Sequence, residues 1–211
     1  MPLEKRLDDI LDSKSKIKIL RLFISRGDSF FASGNDIAKA AGLTPPTAHA
    51  SLKELYDHNI LQRDIVGKQH IYRLNVSNRT VKEILKPLFH KERSIKEDIK
   101  EFLLDKITAY NIKSSIKSLI LYGSLSRSQT HTASDCDIAV IVKDSKSKKR
   151  VEDVFIENIS SEFSEYFGFS LDAYIKAADE FKARLKKHLP PVSTLIKSYV
   201  VIYGKNPIDY R

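Results

Sequence analysis

Apolar residues recur at helical spacing through the first fifth of the chain. Residues 14–26 (KSKIKILRLFISR) place apolar side chains about three and four positions apart, which predicts an amphipathic helix. The stretch Ser33-Gly34-Asn35-Asp36 is a typical helix start, and Gly42 suits a left-handed helix end. The pattern therefore predicts two consecutive helices before residue 43.

A third helix and a hairpin follow. Thr44 suits an N-cap and Pro45 the first helical position, so a helix is predicted over about residues 45–58. Two strand-like runs come next, joined by a turn at Gly67-Lys68. The predicted apolar face of the helix consists of Ala48, Leu52, Leu55 and Tyr56. The two predicted strands are Leu61–Val66 and His70–Leu74.

Residues 77–112 have the pattern of helices that connect two domains. A helix is predicted over Ser77–His90, and Pro87 should kink or end it. The charged run Lys91–Ile112 follows, and its apolar residues keep helical spacing, which predicts one buried stripe. That stripe consists of Ile95, Ile99, Phe102, Leu103 and Ile107.

The second half of the chain contains apolar, strand-like runs. Leu119–Tyr122 is apolar and ends at Gly123, which allows a tight turn. After a polar segment, an apolar strand opens with Asp135-Cys136-Asp137. A further run, FGFSLDAYIKA, alternates apolar residues with Ser170, Asp172 and Tyr174. A closing apolar strand is predicted before Tyr203-Gly204-Lys205.

Composition narrows the class of protein. The chain has 211 residues, 42% of them hydrophobic, and contains no apolar run of membrane-spanning length. It has no apolar signal segment at its start and only one cysteine, so we expect a cytoplasmic protein without an internal disulfide. The net charge of +9 is compatible with a polyanionic partner such as nucleic acid or nucleotide, and equally with a soluble protein that binds neither.

Three helices followed by a hairpin is the order of a winged helix-turn-helix, and residues 10–76 resemble the winged DNA-binding domains of bacterial and archaeal transcriptional regulators. The resemblance implies that the third helix enters the major groove of double-stranded DNA and that the wing contacts the backbone. A winged helix used only for protein contacts is the alternative. The implied DNA-binding residues are Pro46, Thr47, His49, Ala50 and Lys53 on the helix, with Arg63, Lys68 and Arg73 on or near the wing.

The paired aspartates carry the candidate chemistry. Residues two apart in a strand point to the same side, so Asp135 and Asp137 should share a face, and Asp172 should join the polar side of a neighbouring strand. Adjacent carboxylates repel, and basic partners, a shared proton or a divalent cation can relieve the repulsion. An isolated pair of this kind would more simply cap a strand end and face water.

The loop before the aspartates favours a functional role for the aspartate pair, because it contains groups that can bind phosphate. Gly123 permits the turn, Ser124 can cap a short helix whose N–H groups would cradle phosphate, and Arg127 can add a charge-assisted contact.

Gly123-Ser124, ten residues, and then Asp135-x-Asp137 resemble the signature of the minimal nucleotidyltransferases of the DNA polymerase β-like superfamily. The resemblance covers about residues 98–208. It implies that the three aspartates are catalytic and hold two Mg²⁺ ions, with ATP or another nucleoside triphosphate as substrate. It also implies that Ser134, like Gly123, Ser124 and Arg127, lies at the nucleotide. Many relatives have a basic or glycine residue late in this loop, where the present chain has Thr130-His131-Thr132-Ala133.

We therefore predict an α+β protein: a winged helix-turn-helix domain over residues 1–76, a helical connector over 77–97, and a nucleotidyltransferase domain over 98–211 with a short mixed β-sheet flanked by helices. The expected activity is transfer of a nucleoside monophosphate, AMP from ATP, to a hydroxyl. The resemblance suggests a partner HEPN-type toxin as acceptor, and the connector suggests a homodimer. A transcriptional regulator that senses nucleotide without catalysis is the alternative, and an antibiotic-modifying enzyme is a weaker one.

Overall fold

The structure is a computed structural model that describes residues 6–126 and 135–210. The chain divides into two compact units, Met1–Ile95 and Lys96–Arg211, each built around its own sheet. Among the described residues, no helix is both long enough and apolar enough to cross a membrane.

The first unit has the order of elements expected of a winged helix-turn-helix. Its sheet has the antiparallel order β1-β3-β2, and β2 and β3 form the hairpin of the wing. A single π-helical turn over Val81–Leu85 leads into α5. The helices and strands are α1 (Arg6–Ile10), α2 (Lys14–Arg26), β1 (Phe31–Ser33), α3 (Gly34–Ala41), α4 (Pro45–Asp57), β2 (Leu61–Val66), β3 (Gln69–Leu74) and α5 (Lys86–Arg93).

Local signals set the helix ends in the first unit. The Ser33 hydroxyl accepts a hydrogen bond from the backbone N–H of Asp36 at 3.3 Å, which caps α3. Gly42 ends α3 in the left-handed conformation with a φ of 62°, as predicted. Thr44 occupies the predicted N-cap position of α4, but its hydroxyl hydrogen-bonds the Thr47 hydroxyl at 2.8 Å rather than a helix N–H.

Two features of the first unit differ from the sequence prediction. The sequence does not predict strand β1, because three residues that include an exposed phenylalanine carry no visible alternation. The sequence places Tyr56 on the buried face of α4, but it is 37% exposed, and the Arg63 guanidinium lies 4.4 Å from the centre of its ring. At 3.6 residues per turn, Tyr56 lies at the edge of the stripe that Ala48, Leu52 and Leu55 bury.

The helices after the wing belong to the core of the first unit. Val81, Leu85 and Phe89 pack with the buried residues of α2 and α4 in one cluster. Pro87 lies near the start of α5, directly after the π-helical turn, and the residues just before it are already helical. The first part of the predicted connector thus packs as part of the first unit.

Lys16 is a buried charge that ties α2 to α4. It is 3% exposed, and its ammonium donates to the backbone carbonyl of Asp9 at 2.6 Å. It also pairs with the carboxylates of Asp12 at 3.0 Å and of Glu54 on α4. Burial by itself lowers the pKa of Lys16, but hydrogen bonds to the two carboxylates outweigh burial and raise it. The lysine therefore stays charged and holds α4 against the start of α2.

The second unit contains one four-stranded mixed sheet flanked by helices, as predicted. The strand order is β6-β5-β4-β7, in which β5 and β6 are parallel and the other pairs are antiparallel. The elements are α6 (Ile95–Ala109), β4 (Ile116–Tyr122), α7 (Gly123–Ser126), β5 (Cys136–Val142), α8 (Ser145–Val154), α9 (Ser160–Phe167), β6 (Leu171–Ala177), α10 (Ala178–Lys186), α11 (Val192–Leu195) and β7 (Tyr199–Gly204).

Both faces of this sheet are covered. One face packs Ile120, Ala139 and Ile141 against α10 and α11. The alternate residues of β5, from Cys136 to Val142, are fully buried on the other face. Helices α8 and α9 pack against the β6 side of the sheet, and α6 buries Ile99, Leu103 and Ile107 of its predicted stripe. Only the ends of the central strands can therefore present polar groups to solvent.

The Lys16 network predicts a measurable stability difference. Lys16→Met keeps the length of the side chain but removes its charge-assisted hydrogen bonds, so we expect the free energy of unfolding to fall by about 1–3 kcal/mol. The matched control is Lys18→Met, a lysine on the same helix whose side chain is not buried, which should change stability by less than about 0.5 kcal/mol. Urea denaturation followed by circular dichroism measures both. Equal stabilities for the two variants would contradict the role of Lys16.

Candidate active site and nucleic-acid interface

Four polar side chains form a row across one end of the second sheet. Asp137 on β5 is the register partner of Asp172 on the parallel strand β6. The antiparallel register of β4 with β5 extends by one step to place Tyr122 opposite Asp137. Tyr122 is in turn the register partner of Tyr199 on β7. Directly opposed residues share a face of the sheet, so the row Asp172, Asp137, Tyr122, Tyr199 lies on one side.

The two carboxylates of this row are neighbours on strands about 4.8 Å apart. Asp137 is half-buried, and Asp172 is exposed at the edge of the sheet. β6 is an edge strand, so its polar side can reach water. Two like charges this close repel each other unless a cation or a proton lies between them. The arrangement therefore favours binding of positive charge.

Asp135 precedes β5 and is exposed. Its carboxylate accepts a hydrogen bond from the Ser170 hydroxyl, and the backbone N–H of Cys136 donates to the Ser170 carbonyl at 2.8 Å. Over residues 6–126 and 135–210, no three His, Cys, Asp or Glu side chains converge as a metal-binding group. The structure thus brings two of the predicted acids together, and the role of Asp135 as a third ligand stays a prediction.

Gly123 lies against the Asp137 carboxylate. Its φ is 76°, and a Cβ at this position would lie 1.9 Å from Asp137 Oδ2 and 2.9 Å from its Cγ. Rotating the carboxylate alone would not clear the Cγ contact. Glycine is therefore required both by the backbone conformation and by the close approach of the aspartate. Gly123 starts the four-residue helix α7, which also contains Ser124.

Tyr122 is the residue of this site that the sequence did not reveal. It is 7% exposed, and its pKa is raised to about 12 by burial and by the charges of Asp137 and Asp172. Burial and the charge of Asp137 likewise raise the pKa of the Cys136 thiol to about 12. Both groups are therefore neutral at physiological pH. The only sequence signal for Tyr122 is its position next to Gly123 at the end of a strand that pairs with the aspartate strand.

Other predicted nucleotide-binding residues lie outside the described part of the chain. Arg127 and Ser134 fall within residues 127–134. Their predicted contacts with the nucleotide stay predictions.

In the first unit, the predicted DNA-facing residues of α4 share one exposed face. Its buried side consists of Ala48, Ser51, Leu52 and Leu55. The opposite side presents all five predicted side chains to solvent: Pro46, Thr47, His49, Ala50 and Lys53.

The basic residues of the wing are in two different situations. Lys68 lies exposed at the hairpin turn. Arg73 donates to Gln62 Oε1 at 2.9 Å, and Arg63 stacks on Tyr56 as described above. Lys68 is thus available for a phosphate, whereas the two arginines already have partners within the unit.

A cleft of about 210 Å³ lies beside the exposed face of α4. His49 Nε2 is 3.4 Å from Asn35 Oδ1, and the His49 ring packs against Gly34. His70 and Lys68 of the wing also line the cleft, and His70 was not among the predicted DNA-binding residues. Its position near the start of the second wing strand is the signal that could have indicated it.

The contact between Gly123 and Asp137 predicts a local displacement. In Gly123→Ala, the 1.9 Å approach must lengthen by about 1 Å, so the Asp137 carboxylate or the turn must move. Gly168→Ala is the matched control, because Gly168 has a φ of 77° but nothing within 4 Å of its Cβ position. Both variants should lose about 1 kcal/mol of stability through the backbone, but only Gly123→Ala should displace Asp137. Crystal structures and thermal unfolding of both variants measure this. An unmoved carboxylate would contradict the expectation.

Comparisons with known proteins divide along the two units. A search of curated proteins found no match. Residues 104–206 match the family described as "Polymerase beta, Nucleotidyltransferase".

Three solved structures illustrate the structural similarities. The winged helix-turn-helix DNA-binding domain of a possible ArsR-family regulator from Mycobacterium bovis is 21% identical with a TM-score of 0.34, covering 45% of this chain and 79% of that chain. The transcriptional repressor BigR from Xylella fastidiosa is 17% identical with a TM-score of 0.35, and the match covers 44% of this chain and 84% of that chain. A toxin–antitoxin structure with AMP-PNP is 13% identical with a TM-score of 0.33, and the match covers 52% of this chain and 77% of that chain. On the strength of the family match, residues 104–206 of this chain form a nucleotidyltransferase domain of the polymerase beta family.

Proposed function

We propose that this protein is a Mg²⁺-dependent nucleotidyltransferase that moves AMP from ATP to a hydroxyl acceptor. The observation that carries the proposal is the pairing of Asp137 with Asp172 beside the Gly123 turn, within a domain of the polymerase beta nucleotidyltransferase family. Two adjacent carboxylates on a solvent-accessible sheet end suit the binding of a divalent cation.

The chemistry of the donor set fits magnesium. Mg²⁺ prefers carboxylate oxygens, is commonly held by one or two of them, and completes its shell with water and substrate phosphates. Asp137 and Asp172 would supply those carboxylates, and Asp135 would add a third. When bound, the metal would stabilise the charge on the leaving pyrophosphate and make the acceptor hydroxyl more acidic. We propose two ions, as the family resemblance implies.

The residues of the chain would act on the substrates in distinct ways. Asp172, the exposed carboxylate of the pair, would accept the proton of the acceptor hydroxyl through a carboxylate oxygen. The hydroxyl oxygen then bonds to the α-phosphorus, the bond from that phosphorus to the bridging oxygen of the β-phosphate breaks, and pyrophosphate leaves. Gly123 and Ser124, with Arg127 and Ser134, would hold the triphosphate.

The first unit would bind double-stranded DNA. The exposed face of α4 and the exposed Lys68 at the wing turn support this part of the proposal. Binding as a homodimer would match the two-fold symmetry of many operators. The acceptor we would test first is a partner HEPN-type toxin protein, because the family resemblance implies it, and DNA binding would then serve autoregulation.

A second function is favoured by the same DNA-facing surface. A winged unit in the same chain as a nucleotidyltransferase domain would also suit a transcriptional regulator that binds nucleotide and changes its DNA affinity without catalysis. The two functions differ in their products, since only the transferase releases pyrophosphate and labels an acceptor.

The catalytic proposal predicts that one substitution in the carboxylate pair greatly lowers the transfer rate. Asp137→Asn removes a negative charge from the carboxylate pair, so we expect transfer from α-labelled ATP with Mg²⁺ to fall by at least about a hundredfold. Asp153→Asn, an exposed aspartate on α8, is the control and should transfer at the normal rate. Assays with and without host extract reveal label on the protein itself or on an acceptor. A near-normal rate for Asp137→Asn would reject the assignment, and metal-dependent nucleotide binding without transfer would favour the regulator.

The DNA-binding proposal predicts a specific change in salt dependence. Lys53→Ala and Lys68→Ala should each weaken binding to a duplex and reduce the slope of log affinity against log salt by about one, because each removes one phosphate contact. Lys82→Ala is the control, since Lys82 is exposed in the same unit but pairs with Glu83 at 3.5 Å. Fluorescence anisotropy over a range of salt concentrations measures the slopes. Unchanged slopes for both variants would argue that the unit contacts protein instead of DNA.

A further inference from the structure

Positive side chains gather at the end of the second sheet that lies opposite the aspartates. Strand β5 begins beside Asp137 and ends at Val142, which pairs with Ile116 at the start of β4. Strand β7 finishes at the same end, because its last residue, Gly204, pairs with Ser118 of β4. A strand of 7 residues is about 20 Å long, so this end is remote from the acidic pair.

Cations from separate segments of the chain meet at this end, and we call them the basic end. The backbone N–H of Lys205, directly after β7, donates to the Lys117 carbonyl of β4 at 3.1 Å. The backbone N–H of Lys143, directly after β5, donates to the Ser115 carbonyl at 3.0 Å. Helix α8 then continues the group along one face, since residues three and four apart are neighbours on a helix. The basic end consists of Lys113, Lys117, Lys143, Lys146, Lys149, Arg150 and Lys205, and all of these except the half-buried Lys113 are exposed.

The charges of the basic end lack carboxylate partners. Within residues 6–126 and 135–210, its exposed lysines form no salt bridge. Arg150 donates to the Asn111 carbonyl at 3.4 Å, and the Lys113 ammonium lies 5.4 Å from the centre of the Tyr203 ring. These two contacts leave the positive charge of each side chain uncompensated.

The acidic residues nearby do not cancel this charge. The Asp144 carboxylate accepts a hydrogen bond from the backbone N–H of Ser147 at 2.8 Å and thereby caps α8. Glu180 pairs with Lys148 at 3.1 Å and with Lys176 at 4.0 Å, and neither lysine belongs to the basic end. The other exposed aspartates on the adjoining elements are Asp153, Asp179 and Asp209. The cations of the basic end outnumber these carboxylates, so the surface carries a net positive charge.

Such a surface suits the phosphate groups of a nucleic acid. Lysine is depleted at protein–protein interfaces, whose centre is apolar, and stable attachment to a membrane needs buried apolar groups as well as charge. Lysine and arginine bind nucleic-acid phosphates whatever the base sequence, because the attraction comes from the charges alone. A group of exposed lysines and an arginine therefore favours a nucleic acid over a protein or a lipid surface.

We propose that the basic end is a second surface for double-stranded DNA, which holds backbone phosphates without reading the base sequence. The choice of DNA rests on the proposed function, because a duplex bound by the first unit is at high effective concentration for a second unit in the same chain. The basic end and the aspartates lie at opposite ends of the sheet. DNA bound there is therefore held by the second unit and is not its acceptor.

The experiment measures binding of the full-length protein to a fluorescent duplex of arbitrary sequence, by anisotropy over a range of salt concentrations. The α8 variant is Lys143→Ala/Lys146→Ala/Lys149→Ala. Its control, the α10 variant, removes equally many exposed lysines from α10 and the residue after it: Lys182→Ala/Lys186→Ala/Lys187→Ala. The strand variant, Lys117→Ala/Lys205→Ala, removes charge from the β4 and β7 side of the basic end. Thermal unfolding checks that each variant is folded.

The expected effects follow from the number of phosphate contacts removed. Each contact contributes about 0.9 to the slope of log affinity against log salt, so the α8 variant should lower the slope by about three and the strand variant by about two. The α8 variant should also bind at least about tenfold more weakly at low salt. The α10 variant should change the slope by less than about 0.5, although it alters the net charge of the protein equally.

The outcomes separate this inference from the proposed function. Equal slopes for the α8 and α10 variants would overturn the inference, whereas DNA binding by the first unit would still be judged from Lys53→Ala and Lys68→Ala. A slope lowered by the α8 variant but by neither of those two substitutions would support the basic end and overturn the role of the first unit. A wild type that binds no duplex would overturn both. Loss of binding only to single-stranded RNA or to phosphatidylserine vesicles, with duplex binding unchanged in the α8 variant, would identify a different polyanion and overturn the inference.

Discussion

The parallel pairing of β5 with β6 is the constraint on which the second unit depends. It places Asp137 and Asp172 side by side on neighbouring strands, where their like charges repel each other. The strands are held in that register by buried residues on both faces, including Ile138 and Val140 on one side and Ile141 on the other. Because a slip of one residue would exchange the two faces of β5, the core fixes the position of the acidic pair.

Much of this architecture could be predicted from the sequence because its signals are local. Gly42 and Pro45 mark helix ends through their backbone preferences, and the strand after Asp135 is a continuous apolar run except for Asp137 at its start, as expected of a buried strand with one polar end. The spacing from Gly123-Ser124 to the aspartates also lies within one continuous segment, so a sequence signature can include it. These features do not depend on which distant element packs against them.

The features that could not be predicted depend on distant partners. β1 becomes a strand only because β3 offers it hydrogen bonds, and its own three residues contain no pattern. Tyr56 lies at the edge of an apolar stripe, so its exposure depends on where Arg63 of the wing falls. Tyr122 looks like an ordinary core residue until the register of β4 with β5 places it opposite Asp137. In each case the missing information is a pairing across the chain.

The attachment of α4 has a consequence for engineering. The helix is held from behind, by the buried stripe and by the pairs Lys16–Glu54 and Ser15–Ser51. None of the outward residues Thr47, Ala50 and Lys53 belongs to that anchoring set. The outward side chains could therefore be randomised in a library, and variants selected for binding to new partners, without redesigning the scaffold beneath them.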